Sequence, residues 1–189
     1  MITSSVAQAA QLLKQGQVLA YPTEAVWGLG CDPFNEDAFS QILALKQRPI
    51  EKGVILLASS IAQIEQLLSP LDAVMQQRII ESWRNRKEQD QGITWLLPSQ
   101  ASIPHWITGQ HPSVAVRVTQ HPLCQALCNQ LGHFIVSTSA NPAGLAPARS
   151  RQQAQDYFAD QISYLEGHLG SSAQPSKIID ALTGKVIRE

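Results

Sequence analysis

Residues 114–139 read VAVRVTQHPLCQALCNQLGHFIVSTS. Residues 114–118 are β-branched at three of five positions and have the character of a strand. Residues 122–131 follow with helical spacing, so that Cys124 and Cys128, four apart, share one face. Residues 134–137 then give a second apolar strand. Strand, helix, strand is the unit from which helix-covered sheets are built. The same alternation continues in both directions. Towards the N-terminus, residues 54–58 form a strand with almost no polar residue, which implies that both its faces are covered. Residues 37–46 are helical, with Phe39, Ile42, Leu43 and Leu45 apolar, and residues 18–21 form a short buried strand stopped by Pro22. A first helix, capped by Thr3 or Ser4 and ended by Gly16, places Val6, Ala9, Ala10 and Leu13 on one face. Helices over residues 61–68 and 71–83 precede a strand at 93–97, closed by Pro98. Beyond the opening stretch come a helix at 150–158 and two strands, 177–181 and 185–187, around a Thr-Gly turn. The expected fold is α/β: a single domain over residues 1–189, with a twisted mixed sheet flanked by helices.

The bulk properties fit that reading. The chain has 189 residues, of which 44% are hydrophobic and 15% charged, enough for one substantial core. A net charge of -1 excludes a molecule that binds nucleic acid by overall basicity, though not a local patch. Cys31, Cys124 and Cys128 lack framework spacing and read as small core residues. His105, His111, His121, His133 and His168 show neither H-x-x-x-H nor H-E-x-x-H spacing, so no protein-bound zinc is expected. The N-terminal stretch lacks the positive start and unbroken apolar run of a signal peptide, and no apolar run reaches the length of a membrane span. A cytoplasmic location without membrane association is the expectation.

Polar residues concentrate just after strands, where open α/β sheets bind ligands. Residues 21–30, YPTEAVWGLG, run from a strand into a hydroxyl, a carboxylate and two glycines. Lys46, Arg48 and Lys52 put three cations within seven residues at a helix end, where Pro49 stops the helix and forces Arg48 into an extended backbone. One cation would suffice for the helix dipole; three suit an anion. Arg117 sits inside a β-branched strand and needs either an acidic partner or an anionic ligand. Ser137, Thr138, Ser139 and Asn141 follow an apolar strand, and Ser176 precedes another. This inventory is rich in cations and hydroxyls and contains no Ser-His-Asp or Cys-His spacing. It points to positioning and charge neutralisation, as in phosphoryl or nucleotidyl transfer.

Taken together, Y-P-T-E-A-V-W-G-L-G, L-K-Q-R-P with a following K-G, S-V-A-V-R-V, S-T-S-A-N and P-S-K-I-I-D-A-L-T-G resemble the YrdC/TsaC family, in the family's order, from residue 21 to 184. The length is similar to that of its short single-domain bacterial form. The resemblance implies threonylcarbamoyl-AMP synthesis: L-threonine, bicarbonate or CO2, and ATP give threonylcarbamoyl-adenylate and pyrophosphate. Partner proteins of the TsaB, TsaD and TsaE type then modify ANN-decoding tRNAs, with at most a transient tRNA contact by this chain. It further implies Lys46 and Arg48 as catalytic residues, both also holding the nucleotide. Thr23, Lys52, Arg117 and Ser176 would hold threonine. Thr94, Ser139, Asn141 and Arg149 would hold the nucleotide, and Mg2+ would accompany ATP.

One stretch departs from the family. Where W-P-G-P-x-T is usual, Trp83 is followed by the polar run RNRKEQDQ at residues 84–91, then Gly92-Ile93-Thr94. A run of eight polar residues reads as a solvated loop that grips ATP less well than the tight turn it replaces. Two other functions fit parts of the pattern. Carbamoyl-adenylate formation occurs in larger hydrogenase-maturation relatives, whose C-x-x-C pairs this chain lacks. An RNA-binding module with a concave basic surface would be more basic overall.

Overall fold

The computed structural model describes every residue except Glu88 and Ala173. In chain order the elements are β1 (Ile2–Thr3), α1 (Val6–Lys14), β2 (Leu19–Pro22), β3 (Trp27–Gly30), α2 (Glu36–Lys46), β4 (Ile55–Ala58), α3 (Glu65–Leu68), α4 (Ala73–Arg84), β5 (Ile93–Pro98), α5 (His105–Thr108), β6 (Ser113–Val118), α6 (Pro122–Leu131), β7 (Ile135–Ser139), α7 (Arg151–Phe158), β8 (Ser163–Leu165), β9 (Lys177–Asp180) and β10 (Val186–Arg188). Short 3-10 turns lie at Ile50–Lys52 and Ile61–Gln63.

The strands form one sheet in the order β1-β8-β2-β3-β7-β4-β6-β5-β9-β10. It is mixed throughout. β4 pairs with β6 in parallel and with β7 antiparallel, while β5 pairs antiparallel with β6 and in parallel with β9. The terminal hairpin of β9 and β10 is antiparallel, as its Thr-Gly turn implied. Apolar side chains on the two faces form two layers. Leu13, Leu19, Leu57, Leu127 and Ile135 share one with Cys124 and Cys128; Phe39, Ile42, Trp83, Trp95 and Phe158 belong to the other. All three cysteines are free and buried, and burial pushes the Cys128 thiol up to about 12.

Several boundaries differ from the sequence reading. The first helix is capped by Ser5, whose hydroxyl accepts from the Gln8 N–H, rather than by Thr3 or Ser4. Residues 61–68 split into a 3-10 turn and a single α-turn. Residues 23–30, for which the sequence suggested no strand, contain β3, which pairs with β2 and then with β7. Gly30 belongs to this strand because a Cβ there would lie 2.2 Å from the Val136 carbonyl oxygen. The glycine serves close strand packing, and a short strand containing two glycines gives no periodic signal. β1, β8 and α5 are too short to carry one either.

Candidate functional site

A cavity of about 500 Å3 opens beside the ends of β3, β6 and β7, within the size range of ligand pockets. It is lined by Thr23, Arg48, Lys52, Arg117, Ser139 and Ser176, six of the residues singled out in the sequence. These six come from well-separated parts of the chain, brought together because their strands are sheet neighbours.

Two side chains fix the deep end. The Glu24 carboxylate is buried at 2% side-chain exposure and lies 3.3 Å from the Arg117 guanidinium. Its Oε1 accepts from the Thr119 hydroxyl at 2.8 Å and from the Gln120 N–H at 3.3 Å. Burial alone would raise this carboxyl, but Arg117 and these donors outweigh it and hold it down at about 2. The acidic partner that Arg117 requires is therefore Glu24, from the Y-P-T-E segment.

The hydroxyls are prearranged. Thr23 Oγ1 donates to the Val26 carbonyl at 2.8 Å, closing the turn between β2 and β3. Ser176 Oγ and Thr94 Oγ1 are 2.8 Å apart in a buried pair. Arg188 Nη2 donates to the Ser176 carbonyl at 2.6 Å and to its hydroxyl at 3.2 Å. Arg188 lines the cavity too and was absent from the sequence reading. The available signal was an arginine beside two apolar residues in the final strand. Burial lowers its pKa, and Arg117 lowers it further.

At the mouth, Gln47 takes a left-handed conformation with φ 49°, sparsely populated for such a residue, and turns the chain sharply at the end of α2. Arg48 then donates to the carbonyls of Gly53 at 2.9 Å and Lys52 at 3.4 Å while still facing the cavity. Lys46, by contrast, is buried behind the wall. Its Nζ donates to the carbonyls of Ser139 at 2.5 Å and Asn141 at 2.8 Å, and its own carbonyl accepts from Ala143. Burial, aided by the positive charge of Arg48, lowers its pKa to about 8.

Four of the ten residues singled out do not line the cavity. Lys46 lies behind it, and Thr94 is fully buried behind Ser176. Asn141 Nδ2 donates to the carbonyls of Pro142 and Leu145, shaping the turn after β7. Arg149 lines a separate, more open groove with Ser150, Arg151, Glu166 and His168; Trp27 borders both spaces. The reading of residues 84–91 as solvated also needs correction. Arg84 and Lys87 are exposed, but Arg86 is buried, and Glu88 lies outside the described residues.

The family model for Sua5, YciO and YrdC proteins, described as "telomere recombination", matches residues 11–189. The chain belongs to the Sua5/YciO/YrdC family. Within this family it is 67% identical to the threonylcarbamoyl-AMP synthase of Acinetobacter baylyi, over all of this chain and 99% of that protein. It is 52% identical to the enzyme of the same name from Pseudomonas aeruginosa, again over all of this chain and 99% of that one. Among solved structures, the Sua5 of P. abyssi in complex with L-threonine superposes with TM-score 0.82 at 27% identity, over 93% of this chain and 50% of that chain. This member therefore spans about half the length of that Sua5. Among the described residues no helix is long and apolar enough to cross a membrane.

Proposed function

We infer that the chain is a threonylcarbamoyl-AMP synthase. The observation that carries this reading is the 67% identity, end to end, to a protein of that name. The cavity supports it, because it gathers cations and hydroxyls and, among its described lining residues, no carboxylate.

The threonine amine captures CO2 as a carbamate. A carbamate oxygen attacks the α-phosphorus of ATP, forming the acyl phosphate bond, and pyrophosphate leaves with the electrons of the broken P–O bond. Negative charge develops on phosphate oxygens, so fixed cations at the mouth lower the barrier. Arg48 faces that position, and Lys52, which the resemblance gives to threonine, lies beside it at the mouth; Lys46 acts from behind the wall, holding the Ser139–Asn141 turn in the shape that meets the phosphates. Ser139, Asn141 and Arg149 are the nucleotide contacts we propose, with Thr94 acting through Ser176. Thr23, Arg117 and Ser176 form the threonine end, where Arg117 takes the carboxylate.

Among the described residues no group of three His, Cys, Asp or Glu is placed to hold a metal ion. We propose that Mg2+ enters as part of the MgATP substrate, carried by the triphosphate and neutralising part of its charge. The product is a reactive mixed anhydride. TsaB-, TsaD- and TsaE-type partners are its consumers in tRNA modification.

Substrate dependence tests the reading. A site that hydrogen-bonds the threonine hydroxyl leaves polar groups unpaired with valine, so pyrophosphate release is expected to be at least about a hundredfold faster with threonine. Equal rates with the two amino acids would remove threonine as the substrate.

A further inference from the structure

His121 is the N-cap of α6, in an extended conformation, and its side chain makes no capping bond to that helix. It is only 5% exposed and is absent from the cavity lining. Its Nε2 lies 3.0 Å from the His168 carbonyl oxygen, and since a carbonyl only accepts, Nε2 is the donor. Nδ1 is buried without a hydrogen-bond partner among the described residues, so the bond to His168 is the ring's single polar tie among them.

That tie holds the stretch 167–170, which is wedged between the start of α6 and the turn joining β2 to β3. A Cβ on Gly167 would lie 2.9 Å from Leu123 Cδ2 and 3.0 Å from Pro22 Cγ. One on Gly170 would lie 3.0 Å from Glu24 Cα and 3.3 Å from His121 Cδ2. Glycine at both positions lets the backbone approach this closely. Gly170 then donates its N–H to the Thr23 carbonyl at 3.0 Å. The main chain of His121 reaches the same turn by a second route. Its N–H donates to Thr119 Oγ1 at 3.1 Å, the Thr119 hydroxyl donates to Glu24 Oε1 at 2.8 Å, and Glu24 pairs with Arg117. One residue is thus linked to Thr23 through its ring and to Arg117 through its backbone. Thr23 follows β2 and Arg117 lies on β6, and three strands, β3, β7 and β4, separate these in the sheet. No shared ladder sets their spacing directly.

We propose that His121 is a positioning residue for the amino-acid substrate: its ring pins residues 167–170 against the β2–β3 turn and so holds Thr23 at the spacing from Arg117 that a threonine spans. The proposal rests on the threonylcarbamoyl-AMP synthase reading and adds to its threonine end a residue that touches no substrate. The mouth is built separately. Arg48 is held there by the Gly53 carbonyl, and the Ser139–Asn141 turn by Lys46. Loss of the His121 tie therefore acts on threonine and leaves ATP alone.

The test is titration calorimetry with L-threonine and, separately, with ATP, alongside steady-state kinetics. His121→Leu keeps the bulk and removes the donor. It is expected to weaken L-threonine binding, and to raise the KM for threonine, about tenfold, the usual consequence of leaving one acceptor unpaired. The kcat and ATP binding are expected to stay within about twofold, because uniform binding of one substrate is what is lost. His121→Gln restores an N–H donor and is expected to bind L-threonine within about threefold of the parent. Unchanged threonine affinity in His121→Leu, equal losses for threonine and ATP, or a His121→Gln protein as weak as His121→Leu each overturns the proposal. Equal losses would assign His121 a purely structural role. If His121→Leu does not fold, Gly170→Ala decides. Its added Cβ meets Glu24 Cα and displaces the same stretch with His121 in place, so selective loss of threonine binding is expected. Unchanged threonine binding there overturns the proposal. Product formation by the parent is the separate control. A parent that makes threonylcarbamoyl-AMP while His121→Leu binds threonine normally loses only the His121 inference. A parent that makes none loses the functional reading, and this inference with it.

Discussion

At the deep end of the cavity Arg117 lies 3.3 Å from a buried carboxylate. At the mouth Arg48 is held only by backbone carbonyls, and Lys52 is exposed, with no carboxylate partner for either among the described residues. Both regions are cationic, yet they are built in opposite ways. The deep cation is fixed by an acid whose loss leaves charge stranded in the core. The mouth cations strand no acid when removed, and Arg48 keeps an Nε without a hydrogen-bond partner among the described residues, so both are free to meet a phosphate. Stability and catalysis should therefore separate between the two regions when each is mutated.

The largest expected effect on the fold comes from Arg117→Ala. Removing one partner of a buried ion pair leaves Glu24 uncompensated and costs about 3–5 kcal/mol of stability in denaturant unfolding. The double change Arg117→Ala with Glu24→Gln should recover much of that loss, since no charge is then stranded. No recovery would mean that the pair does not organise the deep end.

Arg48→Ala should do the reverse. Loss of a fixed cation from a phosphoryl-type transition state costs about a hundredfold in kcat or more, while the melting temperature stays close to that of the parent. Lys46→Ala straddles the two regions. It should also cripple turnover, but it orphans the carbonyls of Ser139 and Asn141 and so costs about 1–3 kcal/mol as well. A Lys46→Ala protein as stable as Arg48→Ala would show that the tether is dispensable.

The two regions also differ in pH response. Glu24 has its carboxyl held at about 2, against 4.5 ordinarily, so the folded state favours its ionised form. That stabilisation is complete above pH 4.5 and is lost as the pH falls towards 2, a contribution on the order of 3 kcal/mol that Glu24→Gln should abolish. Lys46 has its amine lowered to about 8, so the free enzyme loses this charge as the pH rises through that value. The kcat/KM for ATP should fall above about pH 8, and Lys46→Arg should move the fall upwards. A flat profile to pH 9.5 would mean that the Lys46 tether does not shape the phosphate site.

The smallest effect belongs to the exposed charges of the polar run. Arg84→Ala and Lys87→Ala should each change stability and ATP affinity by less than about 1 kcal/mol, as exposed charges do. They provide the contrast to Arg86, which is buried in the same run.

These contrasts mark what the sequence disclosed and what it did not. α6 was legible to the residue because Pro122 to Leu131 is amphipathic and ends at a glycine with φ 99°. The cations at 46, 48, 52 and 117 stood out as charges beside buried strands. Glu24 was seen only as a carboxylate after a strand, because its partner lies 93 positions away and only the β3–β7–β4–β6 order brings them together. Arg86 was hidden for a related reason. Eight consecutive polar residues carry no local signal of which one points inward; closure of the segment onto Gly92 decides that. Arg188 was overlooked because a terminal hairpin reads as structural until β9 places it against Ser176.

The most direct test is mass spectrometry of the reaction of the purified protein with MgATP, L-threonine and bicarbonate. Threonylcarbamoyl-AMP is expected, appearing only when all three substrates are present, with one pyrophosphate released per adenylate formed. Formation of ADP and phosphate instead, or nucleotide cleavage independent of threonine, would contradict adenylation of a threonine carbamate in this cavity.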